Sequence, residues 1–224
     1  TWLLDWSDRN TAVLFGDGAG AVVVEESKNP EDGEIFSFVN GLSSDKLDIL
    51  EIPNFGSAMD RFKSDEAAKV RWTFDGQEIF KGGIRAMATA SEEVIIKSGL
   101  TKEDIGLLIP HQANLRIVEG LEKMLKLPNA KTIKKVHKYG NTSAASIPTA
   151  LVDALEEGEI KGGEVAVLTA VGAGLSWGAC AVRLGKRTDP INTSDAKLPD
   201  FDGKAVDTIR KAIEYQVPEK LDLI

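Results

Sequence analysis

The clearest fold signal in this chain is the stretch EVAVLTAVGAGLSWGACAVRL, residues 164–184. Apolar runs at Glu164–Ala170 and Trp177–Leu184 are typical of strands, and the residues between them form a glycine-rich turn. The pattern AVLxxxGAG at 166–174 recurs in register at residues 12–20, and an apolar run follows each copy. The repeat favours a duplicated fold, of which this chain would hold the end of a first half and a whole second half. Chance similarity between two glycine-rich hairpins is the alternative.

Strand and helix patterns alternate between the two copies. A hairpin is predicted for Ala12–Phe15 and Ala21–Glu25 around a glycine-rich turn. From Glu34 the predicted order is β-α-β-α-β-α-β-β, which is an α/β pattern. The predicted strands before residue 164 are Glu34–Asn40, Ile105–Ile109 and Thr132–Val136, and the predicted helices are Asp75–Ser98 (closed by Gly99), Leu115–Leu125 and Ser143–Glu157.

These elements predict three regions. Residues 1–33 would be the terminal hairpin of the first half, residues 34–185 the complete second half, and residues 186–224 a C-terminal extension. The extension contains a short helical pattern that Asp202 would cap. Because the chain starts at Thr1 without a methionine, we expect it to be cut from a longer protein.

Composition excludes several classes of protein. The chain has 224 residues, 42% of them hydrophobic, without a run long enough to span a membrane and without a signal peptide. The single cysteine, Cys180, excludes an internal disulfide and favours a reducing, cytoplasmic location. Its place in an apolar strand pattern predicts a small buried side chain rather than a nucleophile.

Charge is unevenly distributed along a chain whose net charge is −8. Residues 111–138 carry seven bases against two acids. This basic block could attract an acidic or phosphate-bearing partner, or it could be a solvated helix face followed by a lysine-rich edge strand. Nucleic acid is not expected as a partner, because the block has no aromatic residue and the whole chain is acidic.

The strongest chemical signal is a histidine and an asparagine in two short motifs. His111 lies in PHQAN, residues 110–114, and Asn141 lies in YGNTSAAS, residues 139–146. A neutral imidazole and a carboxamide that converge on one oxygen can stabilise an enolate or a tetrahedral intermediate. The alternatives are a strand-end histidine satisfied by backbone and an asparagine that caps a helix. No cysteine, serine or lysine of the chain is placed to act as the nucleophile beside such a pair.

Together these motifs identify a family resemblance. The chain resembles the C-terminal part of the β-ketoacyl-acyl-carrier-protein synthase III family, which are thiolase-fold condensing enzymes. The matching segments are VLFGDGAGA at 13–21, GQEIFK at 76–81, HQANLRI at 111–117, GNTSAAS at 140–146 and GAGLSWG at 172–178.

The resemblance implies an acyltransferase that acts without a cofactor or a metal. It would join an acyl-CoA primer to malonyl-acyl-carrier protein by decarboxylative Claisen condensation, which initiates fatty acid synthesis. The nucleophilic cysteine would lie in an N-terminal portion outside this chain, and the complete enzyme would be a cytoplasmic homodimer. A non-catalytic thiolase-like scaffold subunit and a ketone- or quinolone-forming relative are the alternatives.

The resemblance also assigns roles to individual residues. His111 and Asn141 match the catalytic pair that stabilises the enolate. Arg116 matches a residue associated with carrier-protein docking, and Lys81 on the neighbouring helix is expected to belong to the same docking surface. Ordinary solvated helix charges are the alternative for both. Val171 stands where many members have an aromatic residue. The residues expected to bind the CoA or pantetheine part of the substrate are Asn114, Val171, Gly172, Ala173 and Gly174.

Overall fold

The computed structural model describes residues 4–6, 8–29, 31–45, 47–52, 73–190, 194–197 and 203–216. The strands in this part of the chain are β1 (Glu34–Leu42), β2 (Leu50–Glu51), β3 (Thr73–Phe74), β4 (Leu107–Pro110), β5 (Lys131–Thr132), β6 (Val165–Gly172) and β7 (Ser176–Arg183). The α-helices are α1 (Gly76–Lys97), α2 (Leu115–Leu125), α3 (Val136–Tyr139), α4 (Ser146–Glu156) and α5 (Ala205–Gln216). No helix among the described residues combines the length and the apolar character that crossing a membrane requires.

The main sheet has five strands in the order β1-β7-β6-β4-β5. Strands β4, β5 and β6 are parallel, whereas β7 is antiparallel to both of its neighbours. The α/β order predicted from Glu34 is confirmed. The structure adds to it a small ribbon of β2 and β3, the single turn α3 and the distal helix α5.

Helices cover both faces of this sheet. On one face α1 and α2 pack against Leu108 and Val167, and on the other face α4 packs against Leu107 and Ala166. Successive strand residues point to opposite faces, so β4, all of whose residues are buried, contributes to both cores. This burial on both faces explains why β4 and β6 read as continuous apolar runs in the sequence.

Helix α1 crosses the first face and ends near the predicted positions. Asp75 caps it, because its carboxylate accepts the backbone N–H groups of Gln77 and Glu78, each at 3.1 Å. At the other end Gly99 has a φ of +71°, a conformation that favours glycine. The predicted helix Asp75–Ser98 is therefore confirmed.

The hairpin predicted for residues 12–25 is wrong. Residues 11–14 form turns, Phe15 makes an isolated parallel bridge with Asn141, and residues 16–28 have no regular structure. Val22, Val23 and Val24 are 67–87% exposed. A lone hairpin is only marginally stable in water, and among the described residues no strand pairs with this segment. The two copies of the repeat thus adopt different structures here, and the regions 1–33, 34–185 and 186–224 remain predictions.

The strand predicted for Thr132–Val136 is largely wrong. Strand β5 ends at Thr132, although the Ile133 N–H still donates to the Leu108 carbonyl at 2.9 Å. The Lys135 N–H then donates to the Gln112 side chain at 2.8 Å instead of to a strand. The Gln112 side chain thus takes the place of a neighbouring strand as the hydrogen-bond partner of Lys135. The chain therefore leaves the sheet and forms α3.

Two further helix predictions need smaller changes. The helix predicted for Ser143–Glu157 begins with a 3₁₀ turn at Ser143–Ala145, and the α-helix starts at Ser146. In the extension, α5 confirms the short helix, and Ile213 on it is buried. The predicted cap Asp202 lies outside the described residues.

Candidate active site

A cavity of about 160 Å³ lies at the carboxyl ends of β4 and β6. Open α/β sheets bind ligands at this edge, because the loops that follow parallel strands meet there. Its polar lining comes from His111, Asn114, Asn141 and Ser143. Its apolar lining comes from Leu14, Phe15, Leu50, Phe74, Ile79, Ile117, Val171 and Leu175.

His111 immediately follows β4 and is held at both backbone and side chain. Its N–H donates to the Thr169 carbonyl at 2.7 Å, and its Nδ1 lies 2.7 Å from the Ser146 hydroxyl. Burial lowers the pKa of this histidine to about 4, because the imidazolium ion would be desolvated. The ring is therefore neutral near pH 7 and can donate a hydrogen bond without carrying charge.

Asn141 uses the two ends of its carboxamide differently. Its Oδ1 accepts the Ser143 N–H at 2.9 Å, so the asparagine does cap the turn that leads into α4. Among the described residues its Nδ2 has no hydrogen-bond partner, although the side chain lines the cavity. The capping alternative and the donor role are thus compatible, because they use different atoms.

The backbone of Asn141 is bound by the segment that was expected to form the hairpin. The Asn141 N–H donates to the Leu14 carbonyl at 2.8 Å, and its carbonyl accepts the Gly16 N–H at 3.0 Å. Glycine is required at 16, since a Cβ there would lie 2.1 Å from the Tyr139 carbonyl oxygen. Leu14, Phe15 and Gly16 therefore position Asn141, and no sequence motif indicates this contact.

The remaining residues expected to bind substrate lie around the same cavity. Asn114 caps α2 by accepting the Ile117 N–H at 2.9 Å, and it lines the cavity. Val171, Gly172 and Ala173 line it from the end of β6 and the following turn. Gly174 lies in that turn with a φ of +133°, and a Cβ on it would lie 2.9 Å from the Ser176 nitrogen. The turn can therefore be this tight only with glycine at 174.

Lys81 and Arg116 lie together beside the cavity. Both line a cleft with Phe80, Leu115 and Asn114, and Asn114 also belongs to the cavity. Neither cation forms an ion pair with a residue that the structure describes. The two residues expected to dock a carrier protein are thus brought together where a ligand could enter.

The rest of the basic block is mostly neutralised, which corrects the idea of one free basic patch. Lys134 pairs with Glu122 at 2.7 Å, and Lys138 pairs with Asp153 at 3.0 Å. Lysines 131 and 135 pair with acids at the end of α4 and just after it. Glu122 precedes its partner Lys134 by 12 residues, whereas Glu159 follows its partner Lys131 by 28 residues.

Two buried residues that sequence reasoning did not single out support the pair. Ser146 contacts the His111 ring, and Gln112 hydrogen-bonds the Pro110 and Ile133 carbonyls at 2.7 and 3.2 Å. Both lie in the two motifs that contain the catalytic candidates. Their place in these motifs was the sequence signal that could have identified them.

Cys180 does not belong to this site. It lies on β7, where its strand partners are Leu168 and Phe38. Burial raises the pKa of its thiol, which disfavours the thiolate that a nucleophile needs. Among the described residues there is also no group of three or more histidine, cysteine or acidic side chains that could hold a metal ion.

Comparisons with known sequences identify related proteins. The profile described as 3-oxoacyl-[acyl-carrier-protein (ACP)] synthase III C terminal matches residues 95–184, and that for 3-oxoacyl-[acyl-carrier-protein (ACP)] synthase III matches residues 1–43. The beta-ketoacyl-[acyl-carrier-protein] synthase III 2 of Vibrio cholerae is 46% identical over 220 residues, which cover 96% of this chain and 59% of that protein. The match therefore includes most of the C-terminal extension.

A second relative and a crystal structure match a shorter part of the chain. The beta-ketoacyl-[acyl-carrier-protein] synthase III of Bacillus pumilus is 47% identical over 184 residues, 82% of this chain and 54% of that protein. The 3-oxoacyl-(acyl carrier protein) synthase III of Pseudomonas aeruginosa PAO1 superposes with a TM-score of 0.73 at 36% identity, over 82% of this chain and 55% of that one. This chain thus spans little more than half the length of these relatives. With the predicted thiolase-like fold confirmed, the chain belongs to the 3-oxoacyl-[acyl-carrier-protein] synthase III family.

Proposed function

We propose that this chain supplies the enolate-stabilising part of a condensing enzyme that joins an acyl-CoA primer to malonyl-acyl-carrier protein and so initiates fatty acid synthesis. The observation that supports this most directly is the shared cavity of His111 and Asn141. His111 Nδ1 and Asn141 Oδ1 are each hydrogen-bonded within the protein, which leaves His111 Nε2 and Asn141 Nδ2 without a partner among the described residues and so available to a ligand. A family in which relatives carry the name of this reaction strengthens the proposal.

The two donors suit the decarboxylation step. When the bond between the malonyl carboxylate and Cα breaks, CO₂ leaves and the electron pair spreads onto the thioester oxygen as an enolate. A donor positioned on that oxygen stabilises the transition state by roughly 3 kcal/mol. The enolate carbon then attacks the acyl-cysteine thioester, and the cysteine leaves as a thiolate. Neutral donors are suitable, because a proton transferred to the enolate would quench the carbanion.

The nucleophilic cysteine is the part of this proposal that lies outside the chain. Cys180 is the only cysteine in the sequence and does not line the cavity. We therefore place the acylated cysteine on an N-terminal portion that packs over the cavity. The complete cytoplasmic enzyme, a homodimer in this proposal, would use acyl carrier protein as a partner and need no cofactor besides its two substrates.

An apolar wall and a polar edge fit a thioester substrate. The wall includes Val171, whose side chain is smaller than the aromatic residue of many members and leaves more room near the thioester. Asn114 joins the cavity to the cleft of Lys81 and Arg116. Its Nδ2 has no hydrogen-bond partner in the part of the chain that the structure describes, and it can donate to an amide carbonyl of the pantetheine arm. The cleft would then receive the arm and the carrier that bears it.

The test replaces Asn141 by aspartate in the full-length protein. In Asn141→Asp a carboxylate oxygen still accepts the Ser143 N–H, so the cap is kept while the donor is lost and a negative charge faces the enolate. We expect acyl-enzyme formation, measured by intact mass spectrometry, to be retained. Release of labelled CO₂ from malonyl-acyl-carrier protein should fall by roughly a hundredfold or more.

Asn129→Asp is the matched control. The Asn129 amide donates to the Glu103 carbonyl at the surface, away from the cavity, so both steps should remain normal. Decarboxylation at the wild-type rate by Asn141→Asp would contradict the enolate role. A full-length protein that is never acylated by acyl-CoA would favour the scaffold alternative, and preference for malonyl-CoA over the carrier-bound substrate would favour the ketone- or quinolone-forming relative.

A further inference from the structure

The two nitrogens of His111 have different surroundings. Nδ1 lies 2.7 Å from the Ser146 hydroxyl, whereas Nε2 has no hydrogen-bond partner among the described residues. The ring lines the cavity, and it is neutral because burial lowers its pKa to about 4. A neutral imidazole carries its proton on one nitrogen only, so its ability to donate into the cavity depends on which nitrogen that is.

The hydrogen bonds of Ser146 determine which ring nitrogen of His111 carries the proton. Its side chain is almost completely buried, and its oxygen accepts the Gln112 N–H at 3.2 Å. Within the described part of the chain, the only group in reach that can accept the hydroxyl proton is His111 Nδ1. The hydroxyl therefore donates to Nδ1, which must be the unprotonated nitrogen of the ring.

Ser146 is held rigidly enough for this purpose. It is the first residue of α4 and directly follows the 3₁₀ turn at Ser143–Ala145, which Asn141 caps. One helical turn later, the Thr149 hydroxyl donates to the Ala145 carbonyl at 2.8 Å and so belongs to the same helix without contacting His111. The serine hydroxyl is thus fixed relative to both members of the donor pair.

We propose that Ser146 is a positioning residue that holds His111 in the tautomer with its proton on Nε2, so that the ring donates into the cavity. With the other tautomer the Nε2 lone pair would face the enolate oxygen and repel it. The inference rests on the proposed function only for the identity of that oxygen. The protonation state itself can be measured without any substrate.

The first measurement is spectroscopic. In the full-length protein with ¹⁵N-labelled histidine, His111 is assigned by the signals that disappear in His111→Gln. Long-range ¹H–¹⁵N correlation should show a protonated Nε2 and an unprotonated Nδ1, and Ser146→Ala should shift the two nitrogens toward a mixture of tautomers. A protonated Nδ1 in the wild type, or an unchanged spectrum in Ser146→Ala, would overturn the proposal.

The second measurement is a double-mutant cycle on malonyl decarboxylation. Ser146→Ala should lower kcat about tenfold at unchanged KM, as expected for the loss of one neutral hydrogen bond. In the His111→Gln background the same change should have no further effect, because a carboxamide has no tautomers. Thr149→Val removes a hydroxyl from the same helix and serves as the control with normal kinetics.

Together the two measurements distinguish a failure of the Ser146 proposal from a failure of the proposed function. An equal loss for Ser146→Ala in both backgrounds would assign the serine a purely structural role and refute the proposal. If the wild type did not decarboxylate malonyl thioesters, the proposed function would fail, and the tautomer spectrum would still decide the role of Ser146.

Discussion

At the scale of single residues, Asn114 and Asn141 divide their carboxamides in the same way. In each, Oδ1 accepts a backbone N–H of the element that follows, at 2.9 Å, and Nδ2 remains available at the cavity. Capping restricts the side-chain rotamer and fixes which end of the amide faces the ligand. A helix cap thereby becomes a way to orient a hydrogen-bond donor.

The lowered pKa of His111 predicts how the stability of the protein depends on pH. The pKa of the folded state is about 4, below the unfolded value of 6.5, so the unfolded state binds the proton first as the pH falls. The stabilising contribution of the neutral ring is complete above about pH 6.5. We expect about 2 kcal/mol of it to be lost by pH 5, and the loss to continue until pH 4.

The measurement compares unfolding of the full-length protein at pH 7.5 and pH 5. His111→Gln should lose less stability than the wild type between these values. Gln77→Leu, an uncharged change at an exposed position, should behave like the wild type. Identical pH dependence in all three proteins would show that His111 does not have the depressed pKa.

At the scale of elements, Gln112 joins strand β4 to the segment that leads to Asn141. Its side chain donates to the Pro110 and Ile133 carbonyls and accepts the Lys135 N–H. All three contacts are to backbone and none reaches the cavity. The residue next to the catalytic candidate His111 thus sets the distance between the two loops that carry the donor pair.

Gln112→Leu should therefore destabilise the protein. The substitution leaves three backbone groups without partners in the interior, and we expect a loss of roughly 3 kcal/mol of unfolding free energy. Chemical denaturation of the full-length protein measures it, with Gln77→Leu at an exposed position as the control. A loss no larger than that of the control would mean that water or a rearranged loop satisfies these groups.

The cleft that Lys81 on α1 and Arg116 on α2 line leads to a prediction about docking of the carrier protein. If Arg116 docks an acidic partner, Arg116→Glu should raise the apparent KM for malonyl-acyl-carrier protein about tenfold at low salt and leave acyl-CoA loading unchanged. High salt should reduce the difference, because exposed charges are screened. Kinetics at two ionic strengths measure both effects.

Lys161→Glu is the control for this charge reversal. Lys161 is exposed and lies before β6, at the end of the strand opposite to the cavity. Lys161→Glu changes the net charge by the same amount as Arg116→Glu, but it should leave the KM for malonyl-acyl-carrier protein unchanged. An equal effect of both variants would indicate a general electrostatic influence instead of docking at Arg116.

At the scale of the whole molecule, the apolar surface near the N-terminal end is the notable feature. Val22, Val23 and Val24 are exposed, as are Ile35 and Phe38 on the edge strand β1. Unpaired edges and apolar patches promote association. We expect residues 1–224, expressed on their own, to self-associate and to become monodisperse when the proposed N-terminal portion is co-expressed.

Light scattering after size exclusion measures this association. Replacing Val22 and Val24 by serine should reduce it, whereas Val152→Ser, at a half-exposed position on α4, should not. A monomeric, cooperative unfolding transition of the isolated segment would contradict the prediction.

How far the sequence predicts this structure depends on how local each signal is. Helix α1 was predictable because its apolar period, the Asp75 cap and Gly99 lie within the same stretch. Residues 12–25 were not, because a hairpin pattern forms strands only if other strands pair with it. The same limit applies to the basic block, since Lys131 and Lys135 meet acids that are distant in sequence.

The candidate site likewise has features that could be predicted from the sequence and features that could not. His111 and Asn141 were identifiable from their motifs, and the structure places both at one cavity. The contacts that hold them were not identifiable, because the bond between Ser146 and His111 spans 35 residues and Asn141 is bound by Leu14 and Gly16. Residue type reveals which groups can perform the chemistry, whereas only the packed structure reveals what orients them.

The contact between Leu14–Gly16 and Asn141 has a consequence for evolution and for engineering. The segment holds Asn141 through main-chain atoms, while the side chains of Leu14 and Phe15 line the cavity. Main-chain hydrogen bonds persist when side chains change, so the cavity wall can be resized at positions 14 and 15 without moving the Asn141 amide. Under the proposed function, substitutions at positions 14 and 15, in descendants of this protein or in a designed library, would change the selectivity for acyl groups while the donor at Asn141 is kept.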